Sequence, residues 1–291
     1  MNDMTTTQPQ WLNRTYYPFE SRYYQDRDGR IHYIDEGEGD VLLFVHGTPT
    51  WSFLYRHLIS NLRDRYRCVA VDHLGFGLSE KPPEAAYHPR DHTARLGRLV
   101  DHLDLTDVTL IVHDFGGPIG LGWAFQQPEQ VSRLVAFNTW LWSLSDDRSV
   151  SRLAGFVRSF LGRWLYTWFN ISPRMLLPAA FADKGRLSDD VHRHYIKPFP
   201  TRESRYGPWR LGCALDAEWY DELWNKRAKM QAWKTLLIWG TEDPTFDLSY
   251  SERLQEAVPD AQTHRLGGVG HFAQEEAPRQ VCELLEAWFD E

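Results

Sequence analysis

Val108-Thr109-Leu110-Ile111-Val112-His113-Asp114-Phe115-Gly116-Gly117-Pro118 is the stretch on which the reading of the whole chain turns. Its first five residues make an apolar run of the kind found in a strand buried on both faces. The run passes directly into His113, Asp114, Phe115 and two glycines, and Pro118 then suits the first turn of a helix. A polar residue at such a sharp strand-to-helix turn has the shape of a nucleophile elbow, with Asp114 where esterases place serine. The glycines let strand and helix approach closely.

The same grammar repeats on either side. Val41 to Val45 is an apolar run ending at His46-Gly47-Thr48-Pro49, and Arg67 to Asp72 is another, closed by Gly75-Phe76-Gly77. Leu134 to Phe137 and Thr235 to Trp239 follow, with helical spacing over Trp51 to Leu62 and His92 to Leu103. Alternating strands and helices predict an α/β fold, a mostly parallel sheet with helices on both faces. Between Thr139 and Asn225 the strand pattern gives way to Trp, Tyr, Phe and Arg at helical spacing. This predicts an inserted helical cap over 139–225, between a first core segment, 1–138, and a second, 226–291.

Composition narrows the classes of function. With 42% hydrophobic and 25% charged residues among 291, the chain is long and apolar enough for a sizeable core. Acidic residues outnumber basic ones, 40 to 32, and no basic cluster interleaved with aromatics stands out, so no nucleic-acid partner is expected. A small apolar organic substrate and water fit better. Cys68, Cys213 and Cys282 are odd in number and far apart, which predicts reduced core or near-core thiols rather than disulfides. The polar start from Met1 to Gln10 and the lack of a long apolar run predict neither export nor a membrane partner, hence a cytoplasmic protein. The absence of His-Glu-x-x-His or a similar cluster speaks against a metal, and Gly117, Gly120 and Gly122 do not form a dinucleotide fingerprint, so no cofactor is expected.

In an open parallel sheet ligands bind beyond the carboxyl ends of the strands, where the unusual polar residues of this chain fall. An aspartate, with a reference pKa of about 3.9, is ionised at neutral pH and needs no base to attack. On an ester or amide it would form a labile anhydride, but on saturated carbon it displaces a leaving group and forms an alkyl ester. Hydrolysis of that ester requires a base, and His271 in Gly267-Gly268-Val269-Gly270-His271-Phe272 fits. Asp243 in Gly240-Thr241-Glu242-Asp243-Pro244 suits the acid that orients it, with Glu242 as the weaker alternative. The backbone N–H groups of Thr48 and Phe115 are the candidates for an oxyanion hole. His46 and His113 are expected to pack around the site, whereas His88, His92, His192 and His194 are expected in solvated or turn positions.

The segments His46 to Arg56, Asp72 to Ser79, His113 to Gly117 and Gly270 to Phe272, together with Lys197-Pro198-Phe199-Pro200, resemble the haloalkane dehalogenases of the α/β-hydrolase fold. The resemblance implies a hydrolase that cleaves carbon–halogen bonds through a covalent Asp114 ester, hydrolysed by water that His271 activates. It also implies the later of the two acid positions used in the family, because Phe137-Asn138-Thr139-Trp140 carries no carboxylate. Two positions depart from the pattern. The family commonly holds halide with a Trp after the nucleophile and an Asn in the His-Gly-x-Pro loop, where this chain has Phe115 and Thr48. Phenylalanine has no side-chain donor, so Trp140, Trp142, Trp164 and Trp168 become the candidates for the halide or substrate pocket. Epoxide hydrolases are similar as well, and there the donors would be cap tyrosines, with Tyr166, Tyr195, Tyr206 and Tyr220 to choose from. A catalytically silent small-molecule receptor on the same fold is the alternative from outside enzymology.

Overall fold

The computed structural model describes residues 9–145, 147–215 and 218–291. Eight strands form one sheet: β1 (Arg22–Asp26), β2 (Gly29–Glu36), β3 (Val41–Val45), β4 (Arg67–Val71), β5 (Val108–Asp114), β6 (Val131–Thr139), β7 (Lys234–Gly240) and β8 (Gln262–Leu266). Their order is β1-β2-β4-β3-β5-β6-β7-β8, antiparallel from β1 through β2 to β4 and parallel elsewhere. The five strands read from the sequence are the central ones, which explains their unbroken apolar character. The three that the apolar-run pattern missed lie toward the edges. β8 reads Gln-Thr-His-Arg-Leu and is buried only at its last residue, so it carries no continuous apolar signal.

Alternation along each strand sends successive side chains to opposite faces, and each face has its own core. Leu43, Val45, Leu110 and Val112 pack with Leu96, Leu99, Ile119 and Leu254. Leu42, Phe44 and Ile111 pack instead with Leu58, Leu62, Val281 and Leu285. Thus α2 (Pro89–His102), α3 (Gly116–Ala124) and α10 (Leu248–Ala257) cover one face, and α1 (Arg56–Leu62) and α12 (Pro278–Phe289) cover the other. Strand β3 has β4 on one side and β5 on the other. The chain order therefore reverses at β3, and the crevice beyond its carboxyl end is the place for a ligand.

Helices fill the chain between β6 and β7: α4 (Arg148–Arg158), α5 (Phe160–Phe169), α6 (Leu177–Ala179), α7 (Asp189–Ile196), α8 (Tyr206–Gly212) and α9 (Trp219–Trp224). A π-helical turn, Ser172–Leu176, precedes α6, and α11 (Ala273–Glu276) follows the His271 loop. Thr139, taken from the sequence as the first cap residue, is the last residue of β6. Two of the histidines expected near solvent are buried instead. His92 lies inside α2 against His73 and Phe76, and the His194 ring stacks on Phe53 while its Nε2 accepts the Asn13 N–H. Aromatic neighbours distant in sequence bury them, which local context does not reveal. The three cysteines are free thiols, Cys68 and Cys282 buried and Cys213 half-buried.

Candidate active site

Asp114 ends β5 with φ of +52°, a left-handed conformation costly for any residue with a Cβ. The turn is held from several directions. The Thr139 hydroxyl donates to the Asp114 carbonyl at 2.6 Å, and the Thr48 N–H donates to Asp114 Oδ1 at 2.8 Å. Two glycines make room for it. A Cβ on Gly47 would lie 2.1 Å from Asp114 Oδ1, and one on Gly116 would lie 2.0 Å from the Val45 carbonyl oxygen. Of the two expected oxyanion donors, then, the Thr48 N–H is bonded to the carboxylate. The Phe115 N–H stands at the N-terminal end of α3, where helix polarity favours negative charge.

The loop that presents Thr48 is fixed by histidines. His46 donates from Nδ1 to the Gly47 carbonyl at 2.6 Å and accepts the His73 N–H on Nε2 at 3.0 Å, which sets its tautomer. The His73 Nε2 returns a bond to the His46 carbonyl at 3.0 Å. Burial holds both rings below the ordinary histidine pKa, so they serve as neutral braces.

His271 stands between two carboxylates. Its Nδ1 lies 2.7 Å from Asp243 Oδ2 and its Nε2 lies 3.6 Å from Asp114 Oδ2, the latter too long for a direct hydrogen bond. Burial works to lower the His271 pKa, but the charge of Asp243 and the interaction with Asp114 overcome it and push it up to about 10. Burial likewise works against ionised Asp243, and the facing imidazolium more than offsets this, leaving its pKa below the ordinary value. The backbone of His271 is tied by its N–H to the Ala180 carbonyl at 2.9 Å and by its own carbonyl to His113 Nε2 at 2.9 Å. Burial and the neighbouring His271 push the His113 pKa down to about 3, so that ring stays neutral.

One residue of the site escaped the sequence reading as a functional group. Asn138, the residue noted only for not being a carboxylate, donates from Nδ2 to Asp243 Oδ2 at 2.8 Å and accepts the Gly240 N–H at 2.9 Å. Its φ of +22° at the end of β6 is the physical trace of that specialised position. Replacing Asn138 with Ala removes a hydrogen bond to a charged acceptor, for which about tenfold lower turnover is expected. Steady-state kinetics on the folded variant measure it.

A cavity of about 120 Å³ opens over Asp114, walled mainly by apolar side chains that include Phe115, Leu177, Phe246 and Phe272. Its polar groups besides Asp114 and His271 are Thr48, Tyr166, Ser172 and Thr245. None of the four tryptophans expected in the pocket lines it. Trp140 sits one layer behind, edge-on to Phe115 and stacked on Phe246, while Trp142 packs against Trp224 and Tyr250. Trp164 and Trp168 point to solvent. Helical spacing could not tell which cap aromatics turn inward. Of the four cap tyrosines, Tyr166 lines the cavity, as does Ser172. Tyr195 is bonded to Glu275, Tyr220 to the Ala214 carbonyl, and Tyr206 lies beside Trp209. Among the described residues no group of three or more potential metal ligands occurs.

An aspartate on a strand-to-helix elbow, facing a histidine paired with a second aspartate, is an arrangement of the α/β hydrolases, and the alpha/beta hydrolase fold family matches residues 40–278. Haloalkane dehalogenase 2 of Mycobacterium tuberculosis H37Rv is 38% identical over 92% of this chain and 94% of its own length. A cis-3-alkyl-4-alkyloxetan-2-one decarboxylase of Shewanella oneidensis is 31% identical over 95% of this chain and 90% of its own. Among solved structures, the haloalkane dehalogenase DatA of Agrobacterium tumefaciens C58 superposes with a TM-score of 0.84 at 27% identity, over 93% of this chain and 96% of that one. The chain belongs to the haloalkane dehalogenase family of α/β hydrolases.

Proposed function

We propose that the protein is a hydrolase of carbon–halogen bonds in small apolar haloalkanes, working in the cytoplasm without metal or cofactor. The observation that carries this reading is the Asp114 carboxylate held at the elbow beneath an apolar cavity, 3.6 Å from a histidine already paired with Asp243. In the first step Asp114 Oδ2 attacks the carbon bearing halogen, the carbon–halogen bond breaks and halide leaves. The Thr48 N–H keeps the other oxygen in place. Ester formation removes the negative charge of Asp114, and with it part of what keeps His271 protonated. The histidine then gives up its proton to solvent, where it balances the released halide, and becomes a base that takes a proton from the water attacking the ester carbonyl carbon. Asp243, held by Asn138, steadies the imidazolium that results, and the N–H groups of Thr48 and Phe115 stabilise the oxyanion. On collapse the bond between the carboxyl carbon and the alkoxy oxygen breaks, the leaving oxygen takes the imidazolium proton to become the alcohol, and the Asp114 carboxylate is regenerated.

The departing halide needs donors, and the usual indole is absent after the nucleophile. The Tyr166 hydroxyl in the cavity wall and the Thr48 hydroxyl, which is buried without a partner, take that role in this reading. Burial raises the Tyr166 pKa, so it remains a protonated donor. The same tyrosine favours a second reading, the opening of a strained oxygen ring. There Asp114 attacks a ring carbon, the carbon–oxygen bond breaks, and the alkoxide takes the Tyr166 proton. A four-membered ring of that kind stands in the name of the Shewanella relative. Incubation with brominated and chlorinated short alkanes, in parallel with matching epoxides, separates the two readings. Bromide release by the native chain, lost in Asp114→Asn, is the expected result. Diol formation without bromide release, lost in Tyr166→Phe, would transfer the assignment to ring opening.

A further inference from the structure

The cap carries a surface that the reaction does not use. Among the described residues, the exposed large apolar side chains all lie between Leu153 and Leu176. They are not leftovers of poor packing, because each helix already buries another face. In α4, Val150, Ala154 and Val157 turn inward while Leu153 and Phe156 face solvent. In α5, Tyr166 and Thr167 are buried, whereas Phe160, Trp164 and Trp168, spaced by four residues, stand out; Phe160 is 87% exposed. Met175 in the π-helical turn extends the patch.

Charge distinguishes this surface from the rest of the molecule. From Arg148 to Ala182 the chain has five arginines, Arg148, Arg152, Arg158, Arg163 and Arg174, and no Asp or Glu, in a protein of net charge −8. All five are exposed. Arg202 adds to the rim, its guanidinium 4.8 Å from the centre of the Trp168 ring. This interleaving of arginine with aromatics is the cluster that reading by composition overlooked, since the acidic balance of the whole chain hides it. Amphipathic helices with Arg on one side and Trp, Phe and Leu on the other lie in the interfacial plane of bilayers.

We propose that α4, α5 and the π-helical turn form a docking surface for a bilayer containing anionic lipid, with the aromatic side chains in the interface and the arginines on the headgroups. A second copy of the chain fits less well, because a two-fold contact would set arginines against arginines. The proposal concerns surface contact alone: no helix among the described residues is long and apolar enough to cross a membrane. Leu153 and Leu176 belong both to the exposed patch and to the wall of the cavity over Asp114. The patch therefore meets the cavity, and an apolar molecule dissolved in lipid would reach the site from the bilayer side.

Flotation of the full chain with vesicles tests this. The protein should rise with phosphatidylcholine vesicles that contain phosphatidylglycerol and stay behind with phosphatidylcholine alone. Arg152→Gln should weaken binding about fivefold, the contribution of one basic residue near an anionic surface. Phe160→Asp should weaken it at least about tenfold, given the worth of burying a phenylalanine. Both positions are at the surface, so halide release from a water-soluble substrate should persist in both variants. Failure to float with either vesicle would overturn the proposal. So would self-association in vesicle-free sedimentation that Phe160→Asp abolishes, which would make the patch a contact between copies.

Discussion

His271→Phe should stop the protein halfway, with the substrate's alkyl group esterified to Asp114. The first step needs only an ionised carboxylate, correctly placed, and the Thr48 N–H that holds Asp114 Oδ1 does not depend on the histidine. The second step needs a base, and phenylalanine supplies none. Intact-protein mass spectrometry should show a mass increase equal to the alkyl group less one hydrogen, while multiple turnover falls at least about a thousandfold. A variant that folds, meets an accepted substrate and acquires no mass would sink the covalent route. The electrostatics add a second readout. In the resting site the His271 pKa is pushed up to about 10, with Asp243 and Asp114 both contributing against burial. Asp114→Asn removes one of the two charges, as ester formation does, so the imidazole should lose its proton at lower pH in that variant. A titration of the ring by NMR that moves downward between native and Asp114→Asn chains supports the idea that the first step arms the second. An unchanged titration would contradict it.

Much of this site was legible because it sits on buried parallel strands. Such strands are apolar throughout, so a polar residue at or just beyond the end of one is conspicuous: Asp114 ends β5, and Thr48 and Asp243 fall in the loops after β3 and β7. His271, in the loop after the polar edge strand β8, was legible from its glycine-rich segment instead. Legibility decayed where the determining contact is distant. Asn138 carries no motif, and its worth depends on Asp243, 105 residues later. The cap tryptophans have helical spacing, yet spacing gives the relative angles of side chains without saying which angle faces the cavity. Trp164 and Trp168 accordingly turned outward, while Tyr166, between them in sequence, turned in. β8 went unseen because an edge strand keeps one flank near solvent and tolerates Gln, His and Arg. His92 and His194 were misjudged for the complementary reason, since their burial comes from aromatic rings contributed by other elements.

Glu275→Gln should destabilise the protein by about 3–5 kcal/mol, more than any other single polar change considered above. Glu275 forms a buried, two-pronged pair with Arg56 at the start of α1, one prong being the 2.8 Å bond from Nη2 to Oε2. Arg56 also lies over the Phe53 ring, 4.1 Å from its centre, and donates to the Phe53 carbonyl at 3.0 Å. The Tyr195 hydroxyl on α7 donates to the same Glu275 carboxylate. One carboxylate on α11, four residues past His271, thus ties the His271 loop to the sheet side and to the cap. Neutralising it leaves the Arg56 guanidinium buried with no counter-charge, and desolvating an unmatched ion is far costlier than forming the pair was favourable. Denaturant unfolding should show the loss as a lower midpoint with little change in slope. The double variant Arg56→Met/Glu275→Leu distinguishes the causes. If the loss comes from the stranded cation, removing both charges should restore most of the stability, as apolar replacements of buried pairs commonly do. Turnover should remain reduced in that double variant, because Tyr195 then lacks the acceptor through which α7 and the His271 loop hold each other in register. Recovery of stability and activity together would instead mean that packing alone positions the loop.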